Sequence, residues 1–434
     1  MEWHEVSKQY FEVERARFKK GPLEDIVVFD ISYASPAATF ASSVLAEMGA
    51  EVIKVEPPEG DPLRKLTPFG EFYFDGTGLP FAVEGRNKKY MTLDIEKEEG
   101  RELFKQLVLH ADVVIESFPP GYADELGIGY RQLREIRPDI IYLAFSAYGH
   151  FGPKAKEFAK VPDSNLLGLS MSGYMMANRE LPEAGEPYNL PTAPGFWMAT
   201  NLAGIYGAAG VVLALYYRLK SGKGQMIDVT SVEAMNKVSL QLIWSHAFNE
   251  PINVGVLPLD YAVFPYAYWR TKDGYVFAAG FTDPNFKALV TQLSREDLIE
   301  KYPNVFARIK LENQKVLYEE LQKEFERYTF AELVEKMLKW REEGREGVAV
   351  YSKITTPKEV LEEEYWRERE VFREMVDRRY GEITVINPVW KLSQTPLKLK
   401  WLAKKAGEDN YHLYKKFLGL GRKELADLKD AGII

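Results

Sequence analysis

The chain has 434 residues, a formal net charge of −8, 46% hydrophobic and 28% charged residues, and no cysteine. That length and apolar content suffice for two to three domains with a large core, and the negative balance excludes a surface that as a whole attracts nucleic acid or anionic lipid, so any phosphate site must be local. The lack of cysteine excludes disulfides, thiolate nucleophiles and zinc–thiolate centres and suits a cytoplasmic setting, and the five histidines show no HExxH-type spacing, so no metal site is expected.

The first segment, MEWHEVSKQYFEVERARFKK, is highly charged and lacks the apolar core of a signal peptide. It reads as an extension over residues 1–24. From Asp25 the pattern alternates. Ile26–Ile31 (IVVFDI) is an apolar strand, Phe40–Gly49 a helix closing on glycine, and Glu51–Pro57 the next strand. Tyr90–Ile95, Asp112–Phe118 and Asp139–Gly149 read as further strands, with helices at Glu98–Ala111 and Tyr130–Pro138 between them. Apolar strands alternating with helices predict a parallel sheet covered on both faces. The turn after the first strand, Ser32–Thr39 (SYASPAAT), has no glycine, which speaks against the dinucleotide fingerprint GxGxxG.

Gly195–Leu219 (GFWMATNLAGIYGAAGVVLALYYRL) is apolar enough to raise the question of a membrane span. The uncharged run Leu202–Tyr217 falls short of the ~20 residues a bilayer needs. Gly204, Gly207 and Gly210 recur every three residues and form a small-residue face for close backbone packing. The expectation is a buried core helix with Thr200 or Asn201 as N-cap and the cationic, glycine-rich Lys220–Gly224 at its end. Gln225–Thr230 is a strand. Phe264–Gly280 reads as a hairpin turning at KDG, and the charge-rich helical stretches NFKALVTQL, LYEELQKEFERY and FAELVEKMLKWREEG follow, their charged faces read as solvated. The predicted division is a large Rossmann-like domain over 25–224, a linker over 225–262, a smaller α+β domain over 263–355, and a second linker returning to the large domain over 356–434.

Several motifs occur in order: Gly49–Arg64 (GAEVIKVEPPEGDPLR), Gly85–Ile95 (GRNKKYMTLDI), Glu99–Gly121, Leu126–Pro153, Leu202–Thr230 and Leu392–Pro396 (LSQTP). On these motifs the sequence resembles the class III (family III) CoA-transferases from about Asp25 to Ile434. The resemblance implies an α/β fold of two domains joined by two linkers. It also implies an interlocked dimer whose active sites form between the large domain of one chain and the small domain of the other. The apolar helix would pack inside the large domain. No tightly bound cofactor is implied; coenzyme A or acyl-CoA enters as substrate.

In the transferases of that family an aspartate just before the apolar helix, in an ADxxAGxxAA context, attacks the acyl-CoA thioester. The acyl group forms a mixed anhydride and CoA thiolate leaves; the thiolate then returns to make an enzyme thioester, and a second carboxylic acid takes over the CoA. A carboxylate suits this step because it is ionised at neutral pH without help from a base. Here the matching stretch is ATNLAGIYGAAG, and the aspartate position falls on Thr200. A threonine hydroxyl needs a neighbouring base, Asn201 cannot serve as one, and a helix cap is the alternative reading of Thr200. The companion acid upstream of the MSG turn falls on Asn165, beside Ser164. Asp163 lies off register, either a displaced acid or a loop residue capping the next helix. No catalytic residue is therefore assigned. The resemblance places CoA contacts at Arg86, Asn87, Lys88, Leu93 and Phe118, with Lys89 adjacent; for the cations a solvated turn is the alternative. The family's cations after the ESF strand meet Pro119 and Glu125 instead, each change costing about 1–3 kcal/mol of affinity. The loop that covers the site in some members is glycine-rich; here it is the bulkier Ala278–Phe286 (AAGFTDPNF).

Packing motifs that persist while the nucleophile and its companion acid are missing point to a non-catalytic subunit. Its partner would be a homologous chain that carries the aspartate, as in succinyl-CoA:(R)-benzylsuccinate CoA-transferase. Two alternatives stand beside this reading. One is a homodimeric acyl-CoA racemase, isomerase or lyase with relocated acid–base groups among Asp163, Glu186 and His150. The other is a non-enzymatic scaffold.

Overall fold

The computed structural model describes residues 3–11, 19–67, 73–74, 76–177, 191–195, 197–238 and 264–434. The chain forms two compact units, the larger of Met1–Met171, Gly195–Lys237 and Glu364–Ile434, the smaller of Ser172–Pro194 and Val238–Glu363.

Six strands make the central sheet of the larger unit: β1 (Val27–Asp30), β2 (Glu51–Glu56), β3 (Lys89–Thr92), β4 (Val113–Glu116), β5 (Ile141–Phe145) and β6 (Met226–Val229). Every pairing is parallel, in the order β3-β2-β1-β4-β5-β6. This is the doubly wound order, reversing direction between β1 and β4. Strands β1, β2, β4 and β5 are buried almost throughout, as continuous apolar runs in a covered parallel sheet should be. The helix Pro36–Glu47 starts four residues before the predicted Phe40. Ser35 caps it, its Oγ accepting from the Ala38 amide at 3.2 Å, and Pro36 takes the first turn. The sequence reading placed Gln225–Thr230 in a linker; β6 belongs to the larger unit, followed by the helix Ser231–Val238. The hairpin Phe372–Asp377/Gly381–Ile386 also belongs to this unit and was not anticipated.

The apolar helix runs over 24 residues, Met198–Ser221, and is long and apolar enough to cross a membrane by length and composition. One face is a layer of the α/β sandwich. A Cβ on Gly204 would lie 2.8 Å from the Ala37 carbonyl oxygen, one on Gly207 2.5 Å from the Phe145 ring, and one on Gly210 3.1 Å from Ile227. The glycine repeat therefore sets how closely this helix approaches the helix Pro36–Glu47 and the strands β5 and β6. The opposite face is not buried: Ile205, Val212, Leu213, Tyr216 and Leu219 are exposed. This corrects the expectation of a wholly buried helix, because an inward stripe of small residues leaves the larger apolar ones pointing outward. The N-cap expectation is also corrected. The helix begins at Met198 with Trp197 in the cap position, and Thr200 lies inside the first turn. The helix ends as expected, on Gly222 in the left-handed conformation (φ 69°).

The smaller unit carries a three-stranded antiparallel sheet, Tyr266–Thr271, Gly274–Ala279 and Val350–Lys353, with the KDG hairpin where it was read. Helices Asp283–Gln292, Leu311–Phe325 and Phe330–Glu342 cover it. Its core is built on Trp269, stacked on Tyr318 at 4.7 Å and on Phe325 at 4.8 Å.

Because the atom facing Gly204 is backbone, a side chain there cannot be accommodated by a rotamer change. Gly204→Val is expected to destabilise the larger unit by about 2–3 kcal/mol, read as a lowered urea midpoint; an unchanged midpoint would show that this packing is not limiting.

Candidate functional site

In open α/β sheets ligands bind outside the carboxyl ends of the strands, where the strand order reverses. Here that point lies between β1 and β4. The loops leaving them are tied together: the Tyr33 amide donates to Ser117 Oγ at 3.0 Å, and that hydroxyl donates to the Tyr33 carbonyl at 3.1 Å.

A buried charge cluster stands at the end of β1. Asp30 accepts from Ser32 Oγ at 2.5 Å and Ser42 Oγ at 2.6 Å, and lies 3.4 Å from Lys54 Nζ and 3.6 Å from Lys88 Nζ. Lys54 also pairs with Asp61 at 3.4 Å and donates to the Ser32 carbonyl. Burial pushes the Asp30 carboxyl up, but the two ammonium groups and two hydroxyls outweigh it and hold it below its ordinary value. The lysines diverge for a physical reason. Burial depresses both; Lys54 faces Asp30, Asp61 and Glu56 and ends up raised, whereas Lys88 has Asp30 and, more weakly, Glu84 in its favour, is repelled by Lys54 and Arg86, and falls to about 8. Next to this cluster, Glu56 at the end of β2 holds Arg64 in two 2.7 Å contacts, with the guanidinium over the rings of Phe81 and Tyr90.

His150 stands between two carboxylates. Its Nδ1 is 3.1 Å from Asp228 Oδ1, its Nε2 is 3.3 Å from Glu116 Oε1, and its backbone amide donates to Asp228 Oδ2 at 2.7 Å. Glu116 ends β4 and Asp228 lies in β6, so the ring staples the loop after β5 across the sheet's carboxyl edge. Gly149 turns that loop at φ 80°, where a Cβ would come 3.2 Å from Asp228. Burial lowers the imidazolium's pKa, but hydrogen bonds and charge from Asp228 and Glu116 carry it up to about 9. Glu116 is itself raised, because its burial exceeds what His150 returns to it. With both nitrogens engaged and the ring charged at neutral pH, His150 is a cationic clamp rather than a free base.

At the start of the apolar helix, Thr200 is fully buried and its hydroxyl donates to the Trp197 carbonyl at 3.2 Å. Asn165, the companion-acid position, accepts from the Ala199 amide at 2.7 Å and so caps this helix from a distant segment. Ser164 accepts from the Leu167 amide at 3.2 Å. Asp163 accepts from Ser231 Oγ at 2.6 Å and from the Ser164 and Ser231 amides, at the start of the helix Ser231–Val238; the cap of the next helix in sequence, expected of Asp163, is made by Ser164. Burial holds the Asp163 carboxyl up at about 6 despite these bonds, and its Oδ1 is buried without a hydrogen-bond partner among the described residues. Glu186 lies outside the described residues.

The positions implied for CoA are occupied by the fold itself. Arg86 is buried, with Nε on Glu47 at 2.5 Å and Nη1 on Glu84 at 3.1 Å. Asn87, at φ 63°, accepts from the Lys400 amide and donates to the Lys398 carbonyl, both at 2.6 Å. Lys88 donates to the Thr39 carbonyl at 2.8 Å, and Lys89 pairs with Glu51 at 2.6 Å. Leu93 is core, and Phe118 packs against Tyr122 with ring centroids 5.9 Å apart. Pro119 and Glu125 are exposed. The RNKK segment thus anchors the returning C-terminal strap to the sheet, an arrangement completed by Trp401 Nε1 donating to the Lys88 carbonyl at 2.8 Å. Sequence reasoning missed the Asp30 cluster and the Glu116–His150–Asp228 clamp. A lysine inside the otherwise apolar strand EVIKVE was the one available signal for the first.

With this geometry in hand, the comparisons with known proteins are consistent and extend over nearly the whole chain. The family model described as CoA-transferase family III matches residues 23–410. Succinyl-CoA–D-citramalate CoA-transferase of Chloroflexus aurantiacus is 30% identical over 415 residues, covering 95% of this chain and 98% of that protein. The succinyl-CoA–L-malate CoA-transferase beta subunit of the same organism is 30% identical over 426 residues, with 95% and 98% covered. A solved structure of a CAIB/BAIF family protein from Brucella suis aligns with a TM-score of 0.73 at 26% identity, covering 92% of this chain and 100% of that one. The chain belongs to CoA-transferase family III.

Two outcomes follow from these charges. Lys54→Met leaves Asp30 and Asp61 buried with one fewer cation and is expected to cost about 3–5 kcal/mol. The double variant Lys54→Met/Asp30→Asn should cost less than the sum of its singles in a urea-unfolding cycle; strict additivity would show that the pair is not coupled. For His150 the folded value lies above the unfolded one. Its contribution, at most about 3 kcal/mol, is therefore complete below pH 6.5 and disappears as pH rises through about 9. His150→Asn should flatten that part of the stability–pH curve, and a variant that keeps the wild-type slope would contradict the clamp.

Proposed function

We propose that this chain is the nucleophile-lacking subunit of a heteromeric CoA-transferase. It would interlock with a homologous chain that bears the catalytic aspartate and lend that chain's active site its smaller unit. The observation that carries the reading is Thr200: a fully buried hydroxyl committed to the Trp197 carbonyl, at the position where the family's transferases carry the attacking carboxylate. An unassisted threonine is a weak nucleophile, and the ester it would form is far less reactive than the mixed anhydride the exchange needs. Asn165 supports the same reading, since the companion-acid position is spent on a helix cap. The paired polar groups of Arg86, Asn87 and Lys88 support it too. A relative whose name marks it as a beta subunit shows that two-chain members exist in the family.

In this reading the partner's carboxylate takes the acyl group as CoA thiolate leaves; the thiolate returns to the partner's carbonyl and releases the donor as its free acid, and a second carboxylic acid then departs as the new thioester, leaving the partner's carboxylate free. The donor is succinyl-CoA, in keeping with the names of the relatives. The acceptor is a substituted succinate such as benzylsuccinate, a choice to which the chain's 25 tyrosines, 24 phenylalanines and 8 tryptophans lend only compositional support. A second reading, an acid–base reaction on an acyl-CoA in this chain alone, is favoured by one observation: Asp163, its pKa pushed up to about 6 by burial, has a buried oxygen without a partner among the described residues. Deuterium exchange into acyl-CoAs catalysed by the isolated chain, and lost in Asp163→Asn, would establish it.

The isolated chain is expected to transfer CoA at least ~10³-fold more slowly than the two-chain complex, measured with succinyl-CoA and benzylsuccinate. Wild-type-level transfer, or a trapped acyl adduct on the isolated chain, would overturn the proposal. Thr200→Asp probes what remains: gain of thioester exchange would show a site intact except for its nucleophile.

A further inference from the structure

Arg308, in the smaller unit, is the most deeply buried arginine among the described residues, only 1% exposed. Its guanidinium carbon lies 4.5 Å from the centroid of the Phe286 ring. Nη2 donates to the Phe281 carbonyl at 2.6 Å and to Asp283 Oδ1 at 2.5 Å, and Nη1 donates to the Tyr302 carbonyl at 3.3 Å. Nε is buried with no hydrogen-bond partner among the described residues. Burial outweighs the pull of Asp283, whose side chain is half exposed, and holds the guanidinium below its ordinary value. A buried cation with one donor unmatched is a weak stabiliser. Its two shortest bonds, however, meet on one short link of the chain.

Residues 280–282 join the strand Gly274–Ala279 to the helix Asp283–Gln292. Both ends of the link are fixed. The Gly280 amide donates to the Pro265 carbonyl at 2.8 Å, and Thr282 caps the helix by accepting from the Asn285 amide at 3.4 Å. Arg308 fixes the middle, holding the carbonyl before Thr282 and the side chain after it with a single nitrogen. Arg308 is itself seated on a braced element: Asn304 caps the turn Val305–Arg308 by accepting from the Ala307 amide at 3.0 Å, and Asn313 donates to the Ala307 carbonyl at 2.8 Å. With its main chain pinned from inside, Phe281 keeps 37% of its surface exposed. An aromatic ring on a fixed main chain offers a large contact area at little ordering cost.

We propose that Arg308 is a positioning residue that locks residues 280–283 in one conformation, and that Phe281, presented by that lock, selects acceptor acids carrying an aromatic substituent. The lock follows from the bonds above. The role of Phe281 rests on the proposed transferase function, in which the smaller unit completes a CoA-transfer site. A glycine-rich link would have to be ordered each time a substrate is enclosed. Here that ordering is complete once the smaller unit has folded, because each residue of the link has its main chain or side chain engaged. A wall that does not move aside favours an acceptor that can pack against it. A succinate bearing an aromatic ring reaches such a wall; succinate itself presents no apolar group to it.

Hydrogen–deuterium exchange on the purified full-length chain tests the lock without any activity. Arg308→Met is expected to speed exchange of the Gly280 and Phe286 amides about tenfold or more, while the hairpin 266–279 keeps its rates. Asp283→Ala removes a half-exposed side chain, so folding should survive it, and the same amides should exchange faster by a smaller factor. Arg308→Lys, with one ammonium in place of the planar fork, should restore part of the protection lost in Arg308→Met. Wild-type rates in both Arg308→Met and Asp283→Ala would overturn the lock. The wall is read as the ratio of kcat/KM for benzylsuccinate to that for isotopically labelled succinate, with succinyl-CoA as donor, in whichever assembly transfers CoA. Phe281→Ala and Arg308→Met should each lower that ratio on the order of tenfold, through KM more than kcat. An unchanged ratio, or an assembly that takes succinate and refuses benzylsuccinate, would overturn the role of Phe281. Full transfer by the isolated chain would overturn the subunit reading and leave both tests in force.

Discussion

The larger unit depends on a balanced set of charges sealed beneath the carboxyl edge of its sheet. Asp30, Lys54, Asp61 and Lys88 are each almost wholly buried, and each ion removed from water costs several kcal/mol before its partners respond. Two cations and two anions bring the group to neutrality, and the Ser32 and Ser42 hydroxyls fill remaining valences on Asp30. Such a group stabilises little in sum, but it makes the fold intolerant of partial change. The loop after β1, the segment around Asp61 and the RNKK segment before β3 must all be in place for any of them to be satisfied. The C-terminal strap is bound to the same condition, because the Asn87 side-chain amide and the Lys88 carbonyl hold residues 398–401.

This organisation bears on how the site can react. A carboxyl edge that bristles with ionisable groups resembles a catalytic centre, yet nearly every group is already matched. His150 has a carboxylate on each nitrogen, Arg64 is held at two points by Glu56, and Arg86 spans Glu47 and Glu84. Perturbed acidity here reports structural pairing more than poised chemistry. Asp163 differs, because burial raises it to about 6 while one of its oxygens has no partner among the described residues.

The architecture was legible from short-range pattern. Apolar runs such as IVVFDI and DVVIESF can only be covered strands, and the helices between them fix parallel pairing. The hairpin at Phe372–Ile386 escaped notice because its strands are largely solvated and the first carries Arg373, Glu374 and Asp377, which lowers the apolar signal that marks a strand. The charge clusters were harder to see, since they are assembled from residues far apart in sequence: Asp30 meets Lys88, and His150 meets Glu116 and Asp228. Local reading took Arg86 and Lys88 as cations that contact CoA or lie in a solvated turn. It could not see that an acid on the helix Pro36–Glu47 and another at the end of β1 would meet them.

The start of the apolar helix shows how a chain can keep this fold while giving up the attacking group. A carboxylate placed as deeply as Thr200 would need a cation or several donors to remain charged, whereas the Thr200 hydroxyl donates to a backbone carbonyl and the Asn165 oxygen accepts from the neighbouring Ala199 amide. Threonine and asparagine meet the position's requirements as neutral hydrogen-bonding groups, one turned back onto Trp197 and the other capping Ala199. The glycine contacts that set the helix against β5 and β6 are indifferent to that exchange. Packing and chemistry are thus separable at this helix: the inward face is held by steric fit to the sheet, and the first turn is free to lose its acid.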